Sequence, residues 1–223
     1  MADPAPTGAL LRLYLGLTGA AAPFATRHLK KRLLRGKEAP DRWREKLGET
    51  ALPRPEGPLI WMHAVGLGEV LALRGLIDAM RAVRPDLHFL VTSSARASGE
   101  VFDRNRPPNT VHQFLPLDTR PFIRRFLDHW RPDLSVWAEQ DLWPGFVVET
   151  HARGIPLAMI NARMDARAFA SRRRAARLYG DLYARFALIA AQDEATASHL
   201  RALAPGRAVA VMGSLKSEIS LSR

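Results

Sequence analysis

The stretch Ile60-Trp61-Met62-His63-Ala64-Val65-Gly66-Leu67-Gly68-Glu69-Val70 decides the fold. An apolar run stops at a Gly-x-Gly turn and a glutamate follows at once. Val70, Leu71, Leu73, Leu76, Ile77 and Met80 then recur at helical spacing. That order describes a buried strand, a turn, and a helix with a carboxylate at its mouth. Glu69 has two readings on these residues. In one it is a first-turn acid that complements the helix dipole, a contribution of roughly 0.3–1 kcal/mol. In the other it is a general base that takes a proton from an attacking hydroxyl. A Gly-x-Gly after a strand also invites a dinucleotide reading. The third glycine of that fingerprint would fall on Leu71, and Glu69 stands where a phosphate would rest on the helix N-terminus, so the reading is set aside. The two glycines are read as a tight turn that gives a substrate room to approach the backbone.

The same alternation runs outward from this stretch. Apolar runs recur at 59–64, 87–92, 110–115, 133–138, 156–160, 187–191 and 208–212, with helical patterns at 69–83, 95–104, 120–130, 142–152, 166–184 and 194–203. Strands without polar/apolar alternation, each followed by a helix, predict an α/β fold: a Rossmann-like parallel sheet with helices on both faces, spanning residues 58–223. Ligands of such sheets bind beyond the carboxyl ends of the strands. The candidate site therefore consists of Gly66, Gly68 and Glu69, the Thr92-Ser93-Ser94 run, Leu115 to Asp118, Glu139 to Pro144, Asn161 to Arg163, Gln192 to Glu194, and Gly213 to Lys216. Pro144 suits the first turn of a helix, with Asp141 as a candidate N-cap. Glu139 has no capping role inside a strand end. A lone carboxylate there requires a partner, and Arg163, at the end of the next strand, is the candidate.

Composition sets the boundaries. With 223 residues, 47% hydrophobic and 25% charged, the chain buries a core and is not disordered. It has no cysteine, which excludes disulfides, thiolate zinc sites and a cysteine nucleophile. Its seven histidines lack ligand spacing, so no metal and no cofactor are expected. The net charge of +11 is carried by two segments. Residues 27–46 hold nine Lys/Arg against three acids, and residues 163–185 hold seven Arg against two Asp. Such clustering points to a polyanionic partner. Arg173 and Arg177, four apart, would share one face of the helix expected at 166–184. Nothing interleaves aromatics with these charges, so nucleic acid is not the expected partner.

The N-terminal region reads separately. Residues 8–25 are apolar apart from Arg12, and the basic run RHLKKRLLRGK follows. Residues 1–36 are therefore read as a helical segment that associates with an anionic membrane surface, lying in it or inserted with the basic end in the cytoplasm. The apolar run is marginal against the roughly 20 residues that a span needs. Residues 37–57 read as a short helix around Trp43 followed by a Pro/Gly linker.

Taken together and in order, WMHAVGLGE, VTSSARASG, FLPLD, RPDLSVWAEQDLWP, RGIPLAMINARM, IAAQDE and MGSLK resemble the N-terminal half of the 3-deoxy-D-manno-octulosonic acid (Kdo) transferases of lipopolysaccharide synthesis. The resemblance implies a GT-B glycosyltransferase whose N-terminal domain holds a lipid A precursor as acceptor and whose C-terminal domain binds the CMP-Kdo donor. It implies that Glu69 is the general base and that Glu139, Trp143, Asn161, Arg163 and Lys216 contribute to substrate binding beside Gly66 and Gly68. It also implies a location at the cytoplasmic face of the inner membrane. The family's usual Ser-Val-Gly-Glu is Gly66-Leu67-Gly68-Glu69 here, which removes a hydroxyl beside the base. The chain stops where the family's interdomain linker begins, so the donor domain is expected to be absent. Two alternatives remain open at this point: a non-catalytic module that binds acceptor or lipid and needs a partner for the donor, and a nucleotide-sugar-binding domain whose basic N-terminus is only structural.

Overall fold

The computed structural model describes residues 5–138 and 142–215. Among these residues seven strands form one sheet: β1 (Leu59–His63), β2 (His88–Ser93), β3 (Thr110–Phe114), β4 (Leu134–Ala138), β5 (Leu157–Ala162), β6 (Leu188–Ala191) and β7 (Val209–Val211). Their order is β3-β2-β1-β4-β5-β6-β7, and every recorded pairing is parallel. The opening stretch supplies the central strand. β1 is buried along its whole length because it pairs with β2 on one side and β4 on the other. Its side chains alternate between two cores. Leu59 and Trp61 enter one, where the Trp61 ring lies 5.0 Å from Phe126, 5.5 Å from Trp137 and 5.6 Å from Phe146. Ile60 and Met62 enter the other, with Phe89, Val91 and Phe102. Both faces of the strand are apolar because both are covered, which explains the missing polar alternation.

The connecting helices are α3 (Leu67–Val83), α4 (Arg96–Arg104), α5 (Arg120–Trp130) and α6 (Pro144–Ala152), then α7 (Ala166–Arg173), α8 (Ala176–Tyr183) and α9 (Glu194–Leu203). α3 buries Val70, Leu73 and Ile77 on the Ile60/Met62 side. α5 buries Ile123, Phe126, Leu127 and Trp130 on the opposite face, the spacing of a single helical stripe, while Phe122 packs with Leu29 and Leu47. The single helix expected over 166–184 is instead two. The break at Arg174 and Ala175 lets α8 bury Leu182 and Tyr183, whereas α7 only half-buries Ala168 and Phe169. Arg173 and Arg177 therefore sit on different helices and share no common face. The Arg173 guanidinium lies 5.9 Å from the Phe169 ring.

The N-terminal region forms α1 (Ala9–Ala20) and α2 (Ala22–Leu34), with Pro23 in the first turn of α2. No helix among the described residues is long and apolar enough to cross a membrane. One side of α1 docks on the domain. Leu11 is fully buried, the Gly8 N–H donates to Asp181 Oδ2 at 2.7 Å, and the Tyr14 hydroxyl donates to Asp118 Oδ2 at 2.7 Å. The opposite side leaves Leu10, Leu13 and Leu17 exposed, and Phe24 of α2 is 76% exposed. Residues 43–47 form a 3-10 helix tied to the sheet edge, where Glu45 accepts the Phe114 N–H at 2.7 Å.

Two buried histidines make stability depend on pH. His63, at the end of β1, has Nδ1 3.0 Å from Thr92 Oγ1 and 3.1 Å from the Thr92 carbonyl. Burial depresses its imidazole to about 3, against the Thr92 hydrogen bond. His112 is depressed to about 3 by burial and then by the charges of Arg42 and Arg106. Both are neutral in the folded chain and titrate near 6.5 when unfolded. Their contribution is therefore complete above about pH 6.5 and is lost as pH falls from there towards 3. At pH 5 each should cost about 2 kcal/mol. Thermal melts at pH 7 and pH 5 check this, and His63→Gln should flatten the slope. A slope equal to that of the unaltered chain would refute the assignment to His63.

Candidate active site

The strand order sets the site's position. From β1 the sheet grows one way through α3 to β2, and from β4 it grows the other way through α6 to β5. The carboxyl ends of β1 and β4 thus diverge at a switch point, where a crevice opens. Gly66, Gly68 and Glu69 form its β1 side, and Trp143 and Pro144 open α6 on its β4 side.

α3 starts two residues earlier than the sequence suggests, so Glu69 lies within its first turn. Gly66 is the N-cap residue with φ −85° and ψ 162°, an extended conformation open to any residue. A tight turn therefore does not account for this glycine. Space does. A Cβ at Gly66 would collide with Glu69 Oε2, so the carboxylate folds back over the glycine. In a chain with serine here, the glutamate must adopt another rotamer. Gly68 is exposed in the first turn.

On the β4 side, Pro144 takes the first-turn position expected of it, and Trp143 is the N-cap residue with no side-chain cap. The cap comes from elsewhere. Asp118, beyond β3, accepts the Gly145 N–H on Oδ2 and the Phe146 N–H on Oδ1, both at 3.0 Å. It also accepts the Tyr14 hydroxyl, so one buried carboxylate joins α1 to the helix at the switch point. The sequence pattern placed Asp118 at a strand end but gave it no role. The available signal was an acid just past a strand, together with a later helix whose own N-cap, Trp143, has no oxygen to offer.

A cavity of about 250 Å³ adjoins the crevice beneath α2. Trp143, Leu29 and Leu115 supply its apolar wall, and His28, Lys46 and Ser94 its polar one. Glu38 anchors the polar wall by accepting Lys46 Nζ at 2.6 Å and Arg32 Nε at 2.5 Å. Burial raises the Glu38 carboxyl, but these two cations outweigh it and hold it below the usual range. An aromatic face beside charged hydrogen-bonding groups can hold a sugar ring and an anionic substituent.

The remaining expected residues are dispersed. Asn161, at the end of β5, has φ +54° and is buried. Its Oδ1 accepts the Leu215 N–H at 3.1 Å and its carbonyl accepts Gln192 Nε2 at 3.0 Å, so it fastens the segment after β7 to the sheet. Its Nδ2 is buried without a hydrogen-bond partner. Arg163 is exposed, and its charge helps keep the Asp193 carboxyl low, behind the Thr196 hydrogen bonds. Glu139, its expected partner, lies outside the described residues, as do Asp141 and Lys216. No cluster of three or more potential metal-ligating side chains occurs among the described residues.

Strand order and helix placement define a Rossmann-like α/β domain. It resembles S. aureus MnaA in a co-structure with UDP, with a TM-score of 0.53 and 15% identity over 71% of this chain and 46% of that one. A Neisseria meningitidis UDP-GlcNAc 2-epimerase bound to UDP-GlcNAc gives a TM-score of 0.52 and 13% identity over 74% of this chain and 50% of that one. At these identities the likeness concerns the fold alone. Sequence carries the assignment further. Residues 41–219 match the N-terminal family model described as 3-deoxy-D-manno-octulosonic-acid transferase (kdotransferase), and the chain belongs to this family. A probable mitochondrial 3-deoxy-D-manno-octulosonic acid transferase of Arabidopsis thaliana is 40% identical over 158 residues, 71% of this chain and 35% of that protein. The Rickettsia bellii transferase is 35% identical over 162 residues, 73% of this chain and 38% of that protein. The Haemophilus influenzae transferase is 28% identical over 181 residues, 78% of this chain and 40% of that protein. The chain thus spans well under half the length of these curated relatives.

Proposed function

We propose that this chain supplies the acceptor-binding half, and the general base, for transfer of Kdo from CMP-Kdo to a lipid A precursor at the cytoplasmic face of the inner membrane. Family membership supports the transfer of Kdo. The observation that carries the reading is Glu69, a carboxylate in the first turn of α3 at the switch point of the sheet, folded over a glycine that leaves it room. Glu69 takes the proton from an acceptor hydroxyl while that oxygen attacks the anomeric carbon of Kdo. The bond to CMP breaks as the new bond forms, and a single displacement inverts the configuration. The cavity bounded by Trp143, His28 and Lys46 receives the acceptor's sugar and its negative charge. Substitution of Glu69 in the intact two-domain enzyme tests the reading.

The membrane assignment has its own support and its own test. Leu10, Leu13 and Leu17 form an exposed apolar row on α1, while Arg27, Lys30, Lys31 and Arg35 are exposed on and just beyond α2. An apolar row beside basic residues suits an interfacial helix on anionic lipid. The double variant Leu13→Asp/Leu17→Asp should reduce flotation with phosphatidylglycerol vesicles at least tenfold without lowering the melting temperature, because both side chains are exposed. Undiminished flotation would sink this assignment.

A further inference from the structure

A second cavity, of about 300 Å³, lies between α1, α5 and α6. It opens beside Arg12, Leu15 and Gly16 of α1 and shares no lining residue with the cavity beneath α2. Leu15, Ile123 and Val148 give it an apolar floor, and Gly16 leaves its mouth open beside the exposed Leu13 and Leu17. Arginines edge it. Arg12 is exposed at the mouth, and Arg120 faces it from α5. Arg120 and Arg124 each reach Glu149 through Nε, at 2.7 and 3.1 Å, and Arg153 reaches the same carboxylate at 2.9 Å while also pairing with Asp128. Of these groups Arg12, Arg120 and Glu149 line the groove itself, two guanidinium charges against one carboxylate, and the surplus lies at the mouth with Arg12.

We propose that this groove is a binding site for a single anionic phospholipid, with an acyl chain on the Leu15/Ile123/Val148 floor and the phosphate at Arg12 and Arg120. The shape argues for lipid over a free anion, because an inorganic ion would leave the apolar floor unfilled. The charge argues for an anionic headgroup, because surplus guanidinium charge favours phosphate oxygens. The volume is at the lower end for a small-molecule pocket and suits one chain rather than several. A lipid held here would pin α1, which Tyr14 and Asp118 join to the N-terminus of α6, against the bilayer. The proposal rests on the interfacial reading of α1, and its test separates the two.

Isothermal titration calorimetry of the whole chain with dihexanoyl phosphatidylglycerol, kept below its micelle concentration, should show saturable binding at one site. Dihexanoyl phosphatidylcholine should bind at least tenfold more weakly, and inorganic phosphate should give no saturable heat. A Cβ at Gly16 meets nothing within 4 Å, so Gly16→Leu can enter the groove mouth without collision. That variant and Arg12→Glu should each weaken binding at least tenfold, whereas Arg104→Glu on α4 should not. Absent binding, equal binding by phosphate alone, or binding indifferent to Gly16→Leu and Arg12→Glu would overturn the site. Flotation retained alongside any of those results would leave the interfacial reading of α1 standing and remove only the groove.

Discussion

Glu69→Gln in the intact two-domain enzyme is expected to lower kcat by roughly 10²–10⁴-fold, the range lost when a general base is removed. Glutamine keeps the size of the side chain and one acceptor oxygen, so the KM for acceptor should change much less than kcat. The alternative role, a first-turn acid in α3, makes a different forecast. It predicts a stability loss of about 0.3–1 kcal/mol and no selective loss of turnover. Measuring both separates them: melting of the 223-residue chain reports the dipole contribution, and steady-state kinetics of the two-domain enzyme report the base. Glu69 is the third residue of α3, and its Oε2 occupies the space that a Cβ at the N-cap residue Gly66 would need. An acid that closes a helix N-terminus adopts the same fold-back, so the two measurements decide between the roles. If the Glu69→Gln enzyme turned over at the unaltered rate, the base would have to be another group at the crevice.

Asp118→Ala should be the most damaging single change among those affecting the site's frame. It removes the acceptor for two backbone N–H groups of α6 and for the Tyr14 hydroxyl. Loss of a helix cap typically costs about 1 kcal/mol, and a stranded buried donor about 1–3 kcal/mol. A total of about 3 kcal/mol should lower the melting temperature by roughly 6–12 °C in a chain of this size. Tyr14→Phe breaks only one of the three bonds and should cost about 1 kcal/mol. Burial pushes the Asp118 carboxyl up, with the Gly145, Tyr14 and Phe146 donors opposing it, so the carboxylate depends on all three. Gly145 belongs to the same device, because a Cβ there would lie 2.6 Å from Asp118 Oδ1. Thermal melts of the three proteins check the order. Asp118→Ala melting within about 2 °C of the unaltered chain would refute the capping role, given the shift expected for a lost cap alone.

Much of this protein is legible in its sequence. Unbroken apolar runs and helical stripes are local, and burial on both sheet faces leaves a direct mark in β1, so the elements and the parallel α/β fold could be read off. The strand-end rule then pointed to Glu69 and Trp143, which flank the crevice, and the ordered motifs named the family. What the sequence could not determine depends on distance along the chain. Tyr14 and Asp118 are 104 residues apart, and Asp118 and Gly145 are 27 apart. No periodicity records such pairs, because they exist only once β1 and β4 are adjacent and α1 lies across α5 and α6. The break between α7 and α8 is of the same kind, since only the core fixes which way Leu182 and Tyr183 must turn. Gly66 marks the boundary between the two. Its sequence announced a turn, but its extended φ shows that the glycine serves the Glu69 carboxylate, a demand made by side-chain packing rather than by the backbone.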